Sequence, residues 1–290
     1  MKKVILCILF LVSLLPETGS AQLTIHVVDS DEMTKSEPIE KELFTVQYQT
    51  AFAPDSSKPD KKITETMMLK VGAKSSVYYS YARFRMDSVL EADIAAGASQ
   101  EVILEHVKQN KGVVSYQIFK NYPTGKVTTL DVLASTRFRC EETNEAPEWQ
   151  LLPDTATLLS YSCRKADCRF KGRDYEAWYT PDIPRSEGPW KLYGLPGLIL
   201  KASDTRNHYT FECTGIEQSE NEEMIRIRAA GYEPVSRKNL NKIYERYNAD
   251  PIGYMAQTSP NVKITLRGED GRSMKAPKNL PYNPIELAEK

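Results

Sequence analysis

The chain has 290 residues, with 38 basic and 39 acidic side chains and a formal net charge of −1. No basic excess exists to neutralise a phosphate backbone, which excludes nucleic acid as a natural partner class. Aromatics make up 9% of the residues and tyrosine alone counts 16, a composition that favours strands over helices.

The N-terminus reads as a targeting segment. Lys2 and Lys3 supply a positive start, Val4 to Leu15 is almost wholly apolar, and Gly19-Ser20-Ala21 offers small residues for cleavage before Gln22. The apolar stretch is shorter than the about 20 residues a bilayer span needs, and nothing later exceeds it. The expectation is an exported protein, periplasmic or cell-envelope associated, with a signal peptide at 1–21 and no transmembrane segment in the mature chain.

Leu23 to Val28 alternates like a strand. The acidic cluster Asp29-Ser30-Asp31-Glu32 lacks the glycine of a calcium loop and reads as a solvated turn. Leu43 to Phe52 predicts a strand with Phe44, Val46 and Tyr48 on one face. Thr64 to Val71 and Ser76 to Phe84 predict two more strands after the proline-bearing loop at 54–62. Ser99 caps a predicted helix whose side carries Val102, Ile103, His106 and Val107; no second histidine lies at i+3 or i+4, so His106 reads as a packing residue.

From Val113 the chain becomes a run of short strands separated by polar turns: 113–122, 126–133, 136–142, 149–152, 157–170, 175–180, 198–202, 208–216 and 224–229. This spacing predicts an antiparallel meander, not βαβ units. Ser236 then caps a second helix, with Val235 and Leu240 as a hydrophobic staple and Leu240, Ile243, Tyr244 and Tyr247 as one apolar stripe, stopped by Pro251. Val262 to Leu266 is a last short strand, and 267–281 reads as polar and mobile. The fold class expected is mainly β: a meander forming a curved sheet or open barrel, with one or two packed helices. One β-rich domain over 22–266, its motif core at 155–217, is followed by a mostly irregular tail at 267–290.

Four cysteines follow the targeting segment: Cys140, Cys163, Cys168 and Cys213. In an exported protein an even number permits two disulfides, with three connectivities. On one continuous strand, Cys163 and Cys168 would lie roughly 16 Å apart, too far to bridge unless 164–167 turns. Connectivity stays open, and buried free thiols are the alternative.

The stretch Gly188-Pro189-Trp190-Lys191-Leu192-Tyr193-Gly194-Leu195-Pro196-Gly197-Leu198-Ile199-Leu200 stands out. Pro181 and Pro184 end the preceding strand. Gly194, Pro196 and Gly197 permit a tight re-entry. Leu198, Ile199 and Leu200 lack alternation, which implies burial on both faces. This stretch reads either as a rigid corner plugging one end of the sheet or as a ligand mouth lined by Trp178, Trp190 and Tyr193. Arg173, at a hairpin turn, is a solvated turn residue or an anion clamp.

Several segments together resemble the GLPGLI family of bacterial envelope proteins: Tyr161 to Ala166, Phe170 to Arg173, Ala177 to Pro184, Gly188-Pro189-Trp190, Gly194 to Ile199, and the ending Tyr282-Asn283-Pro284-Ile285-Glu286-Leu287. The resemblance covers most of the mature chain and is most specific over 155–204. It implies an envelope location and a domain boundary, without a mechanism.

Chemistry-bearing patterns are sparse. The three histidines, His26, His106 and His208, lack metal-ligand spacing, and neither a Gly-x-Ser-x-Gly elbow nor a phosphate loop occurs. Glu176, on the strand of Trp178, is the least poor acid/base candidate and reads first as a solvent-facing residue. The expected function is a non-catalytic binding or carrier protein, for an apolar ligand or for an envelope or outer-membrane protein, acting through Trp178, Trp190, Tyr193 and Arg173. The alternatives are a peptide- or glycan-directed hydrolase and a structural envelope component. No cofactor and no metal are expected.

Overall fold

A computed structural model describes residues 35–109, 112–134, 136–219, 222–258 and 275–287, with the backbone of short strand segments at 3–4, 19–23, 28–29 and 264–268. The targeting segment expected over 1–21 falls largely outside these residues. Three short strands, β1 (Lys3–Val4), β2 (Gly19–Leu23) and β3 (Val28–Asp29), precede β4 (Glu37–Lys41), β5 (Phe44–Phe52), β6 (Ile63–Val71) and β7 (Ser76–Ser80). Helices α1 (Tyr81–Ala96) and α2 (Gln100–Gln109) follow, then β8 (Gln117–Lys120), β9 (Lys126–Leu133), β10 (Thr136–Thr143), β11 (Gln150–Leu158), β12 (Tyr161–Phe170) and β13 (Arg173–Thr180). The chain continues through β14 (Leu198–Asp204), β15 (Tyr209–Gln218), β16 (Met224–Ile227), β17 (Glu233–Pro234), α3 (Arg237–Ala249), α4 (Pro251–Thr258) and β18 (Ile264–Gly268).

The fold is mostly β, as the composition implies. One twelve-stranded sheet runs in the order β11-β12-β13-β14-β15-β5-β6-β7-β8-β9-β10-β17, antiparallel except for the β10–β17 pair, and it does not close. Eleven of its strands form two meanders, β5 to β10 and β11 to β15, in which each strand pairs with the next in sequence, and β17 adds to the β10 edge. The β15–β5 ladder, from Tyr209 opposite Phe52 to Gln218 opposite Phe44, joins them. On β5 the alternation places Phe44, Val46 and Tyr48 in the core.

The main core lies between these meanders, where Tyr48, Met67, Leu69 and Tyr78 meet Tyr175, Tyr179, Trp190, Leu198 and Ile199. A second cluster lies under α3 and α4, where Leu240, Tyr247, Tyr254 and Met255 cover Leu133, Phe138 and Cys140. Ser236 caps α3, its hydroxyl accepting the Asn239 amide at 3.3 Å.

Several sequence expectations need correction. The strand expected over 76–84 ends at Ser80, whose hydroxyl accepts the Arg83 amide at 3.1 Å and starts α1. That helix buries only Met86 and Leu90 and so lacks a periodic apolar stripe. The strand expected over 157–170 is broken at Leu159 and Ser160, both at positive φ (48° and 68°), which make a two-residue hairpin without glycine. Pro251 does not simply stop α3; it opens α4, where its missing N–H costs nothing. The tail at 275–287 has neither helix nor strand, yet backbone bonds from Asn279 and Leu280 to Ala249 and Asn248 fasten its start.

The disulfide expectation is also corrected. Cys140, Cys163, Cys168 and Cys213 are four buried free thiols. Cys163 and Cys168 lie on one unbroken strand, β12. Cys213 lies on β15, with β13 and β14 between, and Cys140 belongs to the other core cluster.

Candidate functional site

The corner singled out in the sequence is solidly packed. Trp190 sits at positive φ (52°) and is 1% exposed, its ring tilted against Tyr175 (centroids 6.0 Å) and edge-on to Phe170 (5.8 Å). Leu192, Leu195, Leu198, Ile199 and Leu200 are all buried around it. A Cβ at Gly197 would overlap the Thr180 carbonyl, so only glycine fits that re-entry. Buried Lys120 on β8 fixes the entry to the corner, donating to the Gly188 carbonyl at 2.7 Å and pairing with Glu187 at 2.6 Å. Burial pushes the Lys120 ammonium down, and Glu187 opposes that.

Trp178 and Trp190 do not share a surface. Trp178 alternates with Tyr175 and Ala177 on β13 and is half-buried on the other face. There its ring lies 5.8 Å from the Lys165 ammonium, which pairs with Glu176 at 3.0 Å. Tyr193 lies beneath Lys120, its ring 5.8 Å from the ammonium, while Trp149 donates to its carbonyl at 2.8 Å. Among the described residues its buried hydroxyl meets no partner.

Arg173 is neither a solvated turn residue nor an open anion clamp. It is 3% exposed and paired with buried Asp204 at 3.0 Å, and its guanidinium covers the Tyr209 ring at 4.8 Å. Its remaining donors hold the C-terminal tail: Nε to the Ile285 carbonyl (2.9 Å), Nη2 to Asn283 Oδ1 (2.8 Å) and to the Pro284 carbonyl (2.5 Å). The tail around Asn283 is held from three further directions. The Asn283 side-chain amide donates to the Ala53 carbonyl (2.8 Å), the Tyr209 hydroxyl donates to the Asn283 carbonyl (2.5 Å), and Leu287 beyond it bonds the Lys171 carbonyl. The family-like ending is thus a strap fastened across the sheet.

Beneath that strap lies a cavity of about 270 Å³, partly open to solvent and bordered by the 113–116 segment, β9, β15, α3 and residues 281–286. Its walls are rich in tyrosine: Tyr116, Tyr209, Tyr244, Tyr247 and Tyr282. The α3 stripe presents Tyr244, whose ring stacks on Tyr282 of the strap at 5.9 Å and 5°. At one end Asp131 accepts from the Tyr244 hydroxyl (2.6 Å), the Ser115 hydroxyl (2.6 Å) and the Val132 amide (2.8 Å). Burial raises Tyr116 and Tyr244 well above the usual phenol range, and for Tyr244 the Asp131 carboxylate adds to this.

A buried ion cluster closes the rim. Arg237 on α3 donates to Glu142 (2.8 Å) and Thr129 (3.1 Å) and lies 3.6 Å from Glu286 of the strap. Lys191 of the corner binds Glu142 (2.5 Å) and Glu286 (2.7 Å). Burial alone would raise the Glu142 carboxyl, but Lys191 and Arg237 hold it down at about 2. The corner, β10, α3 and the strap therefore meet in one network beside the cavity.

Tyr116, Asp131 and Arg237 lay outside the residues singled out in the sequence, and Tyr282 entered only through the family-like ending. The available signals were the tyrosine count, the Tyr244/Tyr247 stripe, and an ending of conspicuous composition with no assigned role. Among the described residues no group of three His, Cys, Asp or Glu could hold a metal, and no helix is long and apolar enough to cross a membrane.

The fold and site together define a class: an open antiparallel sheet protein with a tyrosine-walled cavity under a C-terminal strap. Residues 105–201, from α2 to β14, match a family described as "Protein of unknown function (Porph_ging)". The chain is similar to two solved structures of PNGF-II. One, in space group P21, is 12% identical with a TM-score of 0.49, covering 71% of this chain and 34% of that one. The other, in space group C2, is 14% identical with a TM-score of 0.46, covering 69% and 32%. This chain spans about a third of the length of those proteins. No curated protein matches it.

Proposed function

We propose that this chain is an exported envelope protein of the GLPGLI type that binds a small molecule with a largely apolar body in the tyrosine cavity. One observation carries the reading. The tryptophan corner is filled by its own side chains, whereas the space between Tyr116, Tyr244 and Tyr282 is left open by a strap held from four sides. Aromatic walls with a few placed polar groups are the usual build of a ligand site, and the volume falls just below the roughly 300–1,000 Å³ range for such sites. In this reading Arg173 and Lys191 act by position, holding strap and rim. Trp190 belongs to the core that supports them, and half-buried Trp178 is left to a protein partner on the outer face. Residues 1–21 are removed on export, and 22–266 fold as one β-rich unit.

The test is small-molecule mass spectrometry of the protein purified from its native envelope, beside an Asn241→Trp variant that fills the cavity from α3. A compound that co-purifies with the parent and is lost from the folded variant is the expected result. An empty parent that takes up no aromatic probe, or equal loading of both proteins, refutes the reading. The same preparation should begin at Gln22.

A further inference from the structure

We infer that the ligand of the tyrosine cavity is electrically neutral and is held through hydrogen-bond acceptors that it brings itself. The inference rests on the binding reading above and narrows the ligand class. The fold already engages the acceptors at the cavity: Asp131 takes two hydroxyls and an amide, Glu286 takes Lys191, and Asn283 Oδ1 takes Arg173. The groups left over all carry a donor, and the Arg237 guanidinium can only donate. Among the described residues, the hydroxyls of Tyr116 and Tyr282, the Asn241 side-chain amide and the Arg237 guanidinium line the cavity. Burial raises both phenols, so they stay protonated and can donate. A ligand that displaces water from these donors without offering an oxygen would leave them unpaired, at a cost that a ligand oxygen placed among them avoids.

The charges argue for neutrality. Around the rim Lys171, Lys191 and Arg237 stand against Glu142, Glu286 and Asp131. A bound anion would join three carboxylates, one of which stays ionised down to about pH 2. A bound cation would face Arg237, and the Tyr209 face that could hold it is already covered by Arg173. What fits is a compact neutral compound, of about two fused rings by volume, with a flat face for the Tyr244–Tyr282 wall and a carbonyl or hydroxyl oxygen.

Four probes with one naphthalene body separate these chemistries on the full mature chain: 2-acetonaphthone, its oxygen-free counterpart 2-ethylnaphthalene, 2-naphthoate and 2-naphthylmethylammonium. Titration by naphthalene fluorescence should show the ketone binding about fivefold or more tighter than the hydrocarbon, the gain expected of one hydrogen bond, and tighter than either ion. Nuclear Overhauser contacts from probe to the Tyr282 ring place it without relying on a variant, and Asn241→Ala should narrow the affinity ratio of ketone to hydrocarbon. Tightest binding by either ion, or equal binding of ketone and hydrocarbon, overturns the inference and leaves the cavity as a site. Failure of all four to bind, or contacts elsewhere, removes the cavity as a site and the inference with it.

Discussion

Replacing Arg173 with alanine should detach the strap and cost about 4 kcal/mol of stability. Both members of the Arg173–Asp204 pair are almost fully buried, so alanine leaves Asp204 with the Tyr209 amide as its remaining donor. Removing one partner of a buried pair costs about 3–5 kcal/mol. The three bonds to Asn283, Pro284 and Ile285 are each worth about 1 kcal/mol, but they overlap with the first figure because the strap can re-solvate once released. Urea unfolding gives the total, and hydrogen exchange over 279–287 reports the strap itself. The amides of Leu280 and Leu287, bonded to Asn248 and Lys171 at 2.8 and 3.0 Å, should lose protection together. Arg173→Lys should keep part of the ion pair without the fork that reaches the strap, so stability recovers more than protection does. In a double-mutant cycle with Asn283→Ala, the two costs should fall short of additive by about 1 kcal/mol or more. A cost for Arg173→Ala below about 1 kcal/mol, or an unchanged exchange pattern in the strap, would show that Arg173 does not fasten it.

Acid should act through Glu142. Its folded carboxyl is held at about 2 against an ordinary 4.5, so its contribution is complete above pH 4.5 and is lost as pH falls toward 2. The loss should reach up to about 3 kcal/mol, and Glu142→Gln should flatten the pH dependence of unfolding in that window. Gly197→Ala, which drives a Cβ into the Thr180 carbonyl, should cost about 2–4 kcal/mol by thermal or urea melts; a neutral effect would mean the corner can shift. The four buried thiols should react with a thiol reagent only on unfolding, since burial pushes Cys168 to about 12 and Cys213 to about 11. Fast labelling of the native protein would contradict the packing around them.

Much of the sheet was legible because its signals are local. The β5 face of Phe44, Val46 and Tyr48 follows from alternation, and strand β9 at Lys126–Leu133 from the Pro123-Thr124-Gly125 turn ahead of it. Helix α3 follows from Ser236 and its stripe. Helix α1 was not legible, because a helix that buries only Met86 and Leu90 carries no period to read. The Leu159-Ser160 turn was hidden for a related reason: neither residue belongs to the glycine–asparagine vocabulary of tight hairpins. The cavity was least legible. Tyr116, Asp131, Tyr244 and Tyr282 come from four separate segments, and no one-dimensional pattern announces that they will face one another. Arg173 shows the same limit. A hairpin position predicts exposure, and only the return of residues 283–285 from more than a hundred positions away buries it.

The seam between β15 and β5 has a consequence for how the chain assembles. Within each meander, strands pair with their immediate successors, and the longest connection, through α1 and α2 between β7 and β8, spans 36 residues. At the seam Glu212 must find Gln49 and Tyr209 must find Phe52, across more than 150 intervening residues. Closing so long a loop before any contact rewards it is slow. Two half-sheets that form early and join late follow from this order, each exposing an unpaired edge (β5 on one, β15 on the other) until they meet. Those two edges are where a chain stalled in folding would capture its neighbour instead of itself.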